Sequence, residues 1–356
     1  MRVLRAALAH GRRMGGVWVL ALAVSPGLGC ATASSWFAGP TPEERREAEE
    51  RRLAEAEAAA VAERAENPLT IDEKLERGDQ ALATGNLAGA LWDYASAYRR
   101  APDDPRPQVR LGFIHLRHDP ERARPFFESA IALDAELASA RVGLGLAMLS
   151  AGELEAGIAE LERAVALDAE SVDAQAALGV ALDQRGDHEA AIVHLEKARQ
   201  LDPRDGRVLN NLGVAYLRVG KPVKSERVLR EALRLDRADE VLRSNNLGMA
   251  LGMQGRFEDA LEAFRVSGNE QGAQNNLAYL YQLQGNYDAA VTHYEAALMA
   301  GGDADLQVLK NLEAARAMRV ARGDASPVSE TPLAGAVTLP VVGSALENLP
   351  EPRDAR

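Results

Sequence analysis

A short phrase recurs in this chain: Asn210-Asn211-Leu212-Gly213, then Asn245-Asn246-Leu247-Gly248, then Asn275-Asn276-Leu277-Ala278. After each copy comes a similar run, Tyr216 to Gly220, Leu251 to Gly255 and Tyr281 to Gly285, followed by a second helical pattern. Self-similarity at a period of a few tens of residues constrains the fold more than any other feature. A unit that cannot bury its apolar face alone must stack on its neighbours.

The same unit extends through most of the chain. A small residue in the middle of the first helix falls at Gly78, Gly112, Gly145, Gly179, Gly213, Gly248 and Ala278, in steps of 34, 33, 34, 34, 35 and 30. Twelve residues later the second helix carries another small residue: Ala90, Gly157, Ala191, Ser225, Ala260 and Ala290, with Ala123 one place early in the second unit. Four residues further sits a large apolar residue (Tyr94, Phe127, Leu161, Leu195, Leu229, Phe264, Tyr294), and three beyond it a small one again (Ala97, Ala130, Ala164, Ala198, Ala232, Ser267, Ala297). A glycine lies between the helices at 85, 152, 186, 220, 255 and 285; the second unit turns through Asp119-Pro120 instead. Small residues let paired helices approach closely, and large ones fill the space between hairpins.

Composition agrees: the 356 residues are 47% hydrophobic but only 4% aromatic, with alanine and leucine dominant, which favours helices. The net charge is −12, and residues 1–29 hold four arginines and no acid, so the remainder carries −16. That balance argues against nucleic acid and against an anionic membrane surface as electrostatic partners.

Residues 1–29 read as a lipoprotein-type signal peptide: a basic start at Arg2, Arg5, Arg12 and Arg13, then a short apolar core from Val17 to Val24 broken by Pro26. Cys30 is the only cysteine, so no intrachain disulfide forms. Gly29-Cys30-Ala31 resembles the lipidation site of bacterial lipoproteins, with Gly27 where a large aliphatic residue is usual. The competing readings are cleavage after Ala31-Thr32-Ala33, which discards Cys30, and an inert buried cysteine; lipidation is preferred. By resemblance, Ala31 after the cysteine implies the outer membrane, facing the periplasm, with a soluble periplasmic protein as the alternative. Residues 30–42 read as a flexible linker. The segment 43–68 is a charged, Ala-rich helical spacer with i,i+4 charge pairs, ended by Asn67-Pro68; a frayed linker is the bland alternative.

The repeats fall at 71–104, 105–137, 138–171, 172–205, 206–240, 241–270 and 271–304. Residues 305–320 continue the phase as a capping helix, with Glu313 in the small-residue place. From 321 to 356, Pro327, Pro332, Pro340, Pro350 and Pro352 mark a Pro-rich tail that reads as disordered. It carries one sticky segment, Val337 to Val342, read either as a plain tail or as a peptide that docks on a partner or on the protein's own groove.

These positions resemble the tetratricopeptide repeat (TPR): small at its positions 8, 20 and 27, aromatic or leucine at 24. The resemblance covers 71–304 and implies an all-α TPR superhelix of seven helix-turn-helix repeats plus the cap. The first repeat departs from it at Arg77, where leucine is usual, as a terminal repeat facing water can.

No phosphate loop, nucleophile elbow or paired catalytic carboxylate stands out, so the chain reads as no enzyme, with no cofactor. His115 and His118 lie one turn apart without a third ligand, and no metal site is expected. His188 and His194 read as part of a solvated second-helix face. The asparagines are the polar feature that packing leaves over. Asn211, Asn246 and Asn276 occupy position 6, about 100° from the packed leucines and toward the concave side. An amide donates and accepts at once, so these residues, with their neighbours Asn210, Asn245 and Asn275, read as a ladder for the main chain of an extended peptide. The alternative is that each bonds the adjacent repeat and serves only stacking. The first four repeats hold Glu76, Arg110, Gly143 and Ala177 there, confining any ladder to the C-terminal half.

Signal, Cys30 and Asn-Asn-Leu-Gly repeats together resemble the TPR lipoproteins of tight adherence (Tad) pilus assembly, and less closely the pilotin-like TPR lipoproteins of type IV pili. That resemblance implies a non-catalytic envelope scaffold acting in Tad/Flp-type pilus or secretin assembly, with a protein partner and a membrane anchor but no nucleic acid. A general envelope scaffold unrelated to pili is the alternative, and an accessory module of an enzyme complex a less favoured one.

Overall fold

Six of the seven repeats break into two helices at a conformation that a glycine tolerates: Gly85, Gly152, Gly186, Gly220, Gly255 and Gly285 have φ between 68° and 99°, while the second repeat turns at Asp119-Pro120. The computed structural model describes residues 69–117, 119–235, 239–301 and 305–323. The signal, linker and spacer read at 1–68 and the tail from 324 lie outside the described residues.

Among the described residues there are fifteen α-helices, fourteen of them in pairs: α1 (Ile71–Ala83) and α2 (Leu87–Arg100), α3 (Pro105–Leu116) and α4 (Pro120–Leu133), α5 (Ala138–Ser150) and α6 (Leu154–Leu167), α7 (Val172–Arg185) and α8 (His188–Leu201). Then follow α9 (Gly206–Arg218) and α10 (Pro222–Leu235), α11 (Glu240–Gly252) and α12 (Phe257–Phe264), α13 (Glu270–Leu283) and α14 (Tyr287–Gly301), and the unpaired α15 (Leu306–Gly323). No strand occurs among the described residues. Local signals place the starts: Thr70 and Glu73 form a capping box on α1, Pro105 and Pro120 open α3 and α4, and Asp205 caps α9.

Packing follows the small and large residues. A Cβ at Gly179 would stand 2.7 Å from Leu195 Cγ, one at Gly213 2.6 Å from Leu229 Cγ, and one at Gly248 2.4 Å from the Phe264 ring. The large residue of each second helix therefore sits on the small residue of its own hairpin, not only between hairpins. Phe127 does both, lying against Gly112 and against Gly143 of the next repeat. All seven large residues are buried. Ser225 adds a polar tie, its hydroxyl donating to the Gly213 carbonyl at 2.8 Å.

From α3 onward each first helix touches the next first helix, while second helices make no comparable contact with one another. The first helices thus line the inner side of the array and the second helices the outer side. The sixth repeat is short: α12 has 8 residues where the other second helices have 14 or 15, and a 3-10 turn at Arg265–Ser267 ends at Gly268 with φ 69°. The capping helix runs three residues past the expected 320, with Val308, Leu312 and Ala315 buried and Glu313 exposed.

Candidate inner-face binding site

Position 6 of the first helices faces the preceding repeat along the inner side. In the second repeat it is Arg110, whose guanidinium makes two 2.9 Å hydrogen bonds to Asp79. The Tyr94 hydroxyl donates to the same carboxylate at 2.5 Å. Burial pushes the Asp79 carboxyl up, but the bonds from Arg110 and Tyr94 outweigh it and hold the group below its usual range. Burial, and then Asp79 itself, push the Tyr94 phenol up.

In the sixth repeat the position-6 residue is Asn246, whose Nδ2 donates to Asn210 Oδ1 at 2.9 Å. On the cap, Asn311 donates likewise to Asn275 at 3.1 Å. Asn210 is buried, 4% exposed, so its carbonyl depends on this bond. For Asn246 and Asn210 the structure therefore shows the inter-repeat tie that the stacking alternative describes. Asn211, Asn245 and Asn276 are half-buried, and no protein atom bonds their side chains among the described residues. For Asn211 the reason is plain: the preceding repeat offers Ala176 and Val180 at the facing positions, neither of which has a polar side chain.

The array also carries polar ties within hairpins that the sequence reading did not find. Position 4 of the first helix meets position 23 of the second: Arg141 with Glu160 at 3.0 Å, Gln175 with His194 at 2.8 Å and Gln274 with His293 at 2.8 Å. In the fifth repeat both positions are apolar and buried, Leu209 and Val228. The signal was a pairwise swap of polar for polar and apolar for apolar, 19 residues apart. His188 and His194 are thus not on a solvated face: His188 Nδ1 lies 2.8 Å from Asp183, and burial holds the His194 imidazole below its ordinary range, as it does His293. His115 stacks on Phe126, ring centroids 5.3 Å apart, and no group of three metal-ligating side chains occurs among the described residues. Arg77, the departure from the repeat pattern, pairs with buried Asp93 across its own hairpin. Cys30 lies outside the described residues.

Models of the tetratricopeptide repeat match residues 117–171 and 210–272 and residues 272–298, and a model described as TPR repeat matches 181–220. No curated protein matches the sequence. Among solved structures, the APC/C hetero-tetramer Cut9–Hcn1 is 19% identical with a TM-score of 0.56, covering 72% of this chain. This chain spans about half, 51%, of that one. MamA is 27% identical with a TM-score of 0.36, over 46% of this chain and 91% of its own. Pseudomonas aeruginosa pilF is 20% identical with a TM-score of 0.48, over 60% and 96%.

Proposed function

Taking the described array as a solenoid of tetratricopeptide repeats, which are generally non-catalytic scaffolds suited to protein–protein interaction, we propose that the inner face from α9 to α15 holds an extended segment of a protein partner. The observation that carries this is the pair of half-buried amides, Asn211 and Asn276, left unbonded on a face where other position-6 residues are engaged. An unbonded amide offers two donors and an acceptor to a passing main chain.

The proposal includes a setting. The protein is exported and lipidated at Cys30, faces the periplasm from the outer membrane, and serves Tad/Flp-type pilus or secretin assembly. This rests on the sequence of residues 1–33 and on their union with the repeats. No helix among the described residues is long and apolar enough to cross a membrane; in this proposal the acyl chains on Cys30 supply the anchor.

The test is site-specific photo-crosslinking in cell-envelope extracts. A crosslinker replacing Val214, on the inner face, should capture a partner band that disappears in the Asn211→Ala/Asn276→Ala chain. A crosslinker at Val223, exposed on the outer side, should not capture it. The same band from Val223 alone would overturn the reading.

A further inference from the structure

The series of ties along the inner face has one gap that its own chemistry does not explain. Arg110 reaches back to Asp79, Asn246 to Asn210 and Asn311 to Asn275. At the step from α11 to α13 the corresponding residues are Asn276 and Asn245, the same donor and acceptor types, yet neither amide is bonded by a protein atom among the described residues. The two asparagine pairs that close are 36 residues apart. Asn245 and Asn276 are 31 apart, because α12 stops after 8 residues. One missing turn, about 5 Å of helix, separates this step from the two that close, and both amides are half-buried without a protein partner among the described residues.

Two primary amides on neighbouring first helices present up to four N–H donors and two carbonyl acceptors. That set complements the alternating N–H and C=O of an extended main chain, not a charged side chain. Bonds to the main chain make no demand on side-chain size, but a half-buried site disfavours charged side chains, whose desolvation is costly. Residues 331–346 (TPLAGAVTLPVVGSAL) suit such a site: sixteen residues without a charge, in a chain that is 26% charged. They also start within reach. Arg322, in the last turn of α15, donates to the Gly285 carbonyl and lies 5.8 Å from the Tyr287 ring. From Gly285 back to Asn276 is nine residues, about 14 Å along a helix, while the eight residues from 323 to 331 span up to about 27 Å extended.

We propose that the Asn245–Asn276 gap is a main-chain binding site and that its occupant is this chain's own stretch 331–346. The assignment rests on the inner-face reading above and adds that the site is self-occupied until a partner displaces the tail. Linkage in one chain supplies an effective concentration in the millimolar range, so a weak contact suffices.

The test uses a fluorescent synthetic peptide of residues 331–346 and two full-length chains, wild type and one with 331–346 replaced by a Gly/Ser stretch of equal length. The peptide should bind the replaced chain at least tenfold more tightly than wild type, because the tethered copy competes. In the replaced chain, Asn245→Ala/Asn276→Ala should lower affinity about tenfold or more, and Asn246→Ala should not. A peptide N-methylated at alternate backbone amides should fail to bind; this arm needs no protein variant and so does not depend on one folding. Equal affinity for both chains, no binding to either, unimpaired binding of the N-methylated peptide, or a loss with Asn246→Ala as large as with the double variant would each overturn the proposal. Failure here with a partner still captured from Val214 removes the tail and leaves the groove; a bound tail peptide with no capture from Val214 does the reverse.

Discussion

Gly179 offers the sharpest test of how the array is held together. A Cβ there would lie 2.7 Å from Leu195 Cγ and 3.1 Å from the Ala191 carbonyl oxygen. Leu195 is fully buried, so the side chain has little room to retreat. Alanine requires Leu195 to move by about 0.7 Å to restore ordinary contact, costing about 1–3 kcal/mol by overpacking. The gain from replacing a mid-helix glycine offsets about 1 kcal/mol of that, leaving about 0–2 kcal/mol net. Nature supplies a milder case: Ala278 holds the same position against Tyr294, and both are buried. Leucine at 179 adds three more carbons to the same crowded site and should cost about 3 kcal/mol by overpacking. Urea melts followed by circular dichroism should show a lower midpoint at unchanged slope. Leu195→Ala alone should destabilise by about 2–5 kcal/mol through its cavity, but should cost less in the Gly179→Leu background, because the new side chain fills that space. A Gly179→Leu protein within about 0.5 kcal/mol of wild type, or strictly additive variants, would refute the contact that the reasoning rests on.

Asn246→Ala leaves the buried Asn210 carbonyl unbonded and should cost about 1–3 kcal/mol, whereas Asn276→Ala should change the urea midpoint little. His194 and His293 titrate below their unfolded value because burial disfavours the charged ring. The unfolded chain therefore binds more protons, and the stability they contribute is present above about pH 6.5 and falls as pH drops toward the folded values. His194→Gln/His293→Gln should flatten that slope in pH-dependent melts. Asp79 is likewise held below its usual range, so its contribution is present above about pH 4 and lost on further acidification; Asp79→Asn should remove that loss. Cys30→Ser should abolish fatty-acid labelling and release the protein to the soluble periplasm, and a mature N-terminus at Ser34 would rule the anchor out.

Much of this architecture was legible because its rules are local and repeated. The turn glycines, the small residues at Gly78 to Ala278 and the large ones at Tyr94 to Tyr294 recur at one spacing, and each recurrence is the same contact within one hairpin. The cap could be read at Glu313 for the same reason: a residue with nothing packed behind it need not be small. The polar features were less legible. Nothing in the sequence marks Arg243, yet it is 2% exposed and lies against Gly206, whose missing side chain makes the room. The pairing of Gln175 with His194 and of Gln274 with His293 needs both helices of a hairpin in place before either residue has a partner.

The asparagines mark the boundary most clearly. Their period put Asn211, Asn246 and Asn276 on one face of three successive first helices, and that followed from sequence alone, because helical phase within a repeat is a local property. Which of their amides is bonded did not follow. A side chain at position 6 ends on the preceding first helix, so its fate depends on how two repeats lie against each other. That depends both on the residues the preceding helix offers and on the length of the second helix between them. Where α10 is full length, Asn246 bonds Asn210; where α12 lacks a turn, no protein atom bonds the side chain of Asn276 or Asn245 among the described residues. Identical residues at identical positions thus became a structural tie in one repeat and an open pair of amides in the next, because only the tertiary structure sets the offset between neighbouring helices.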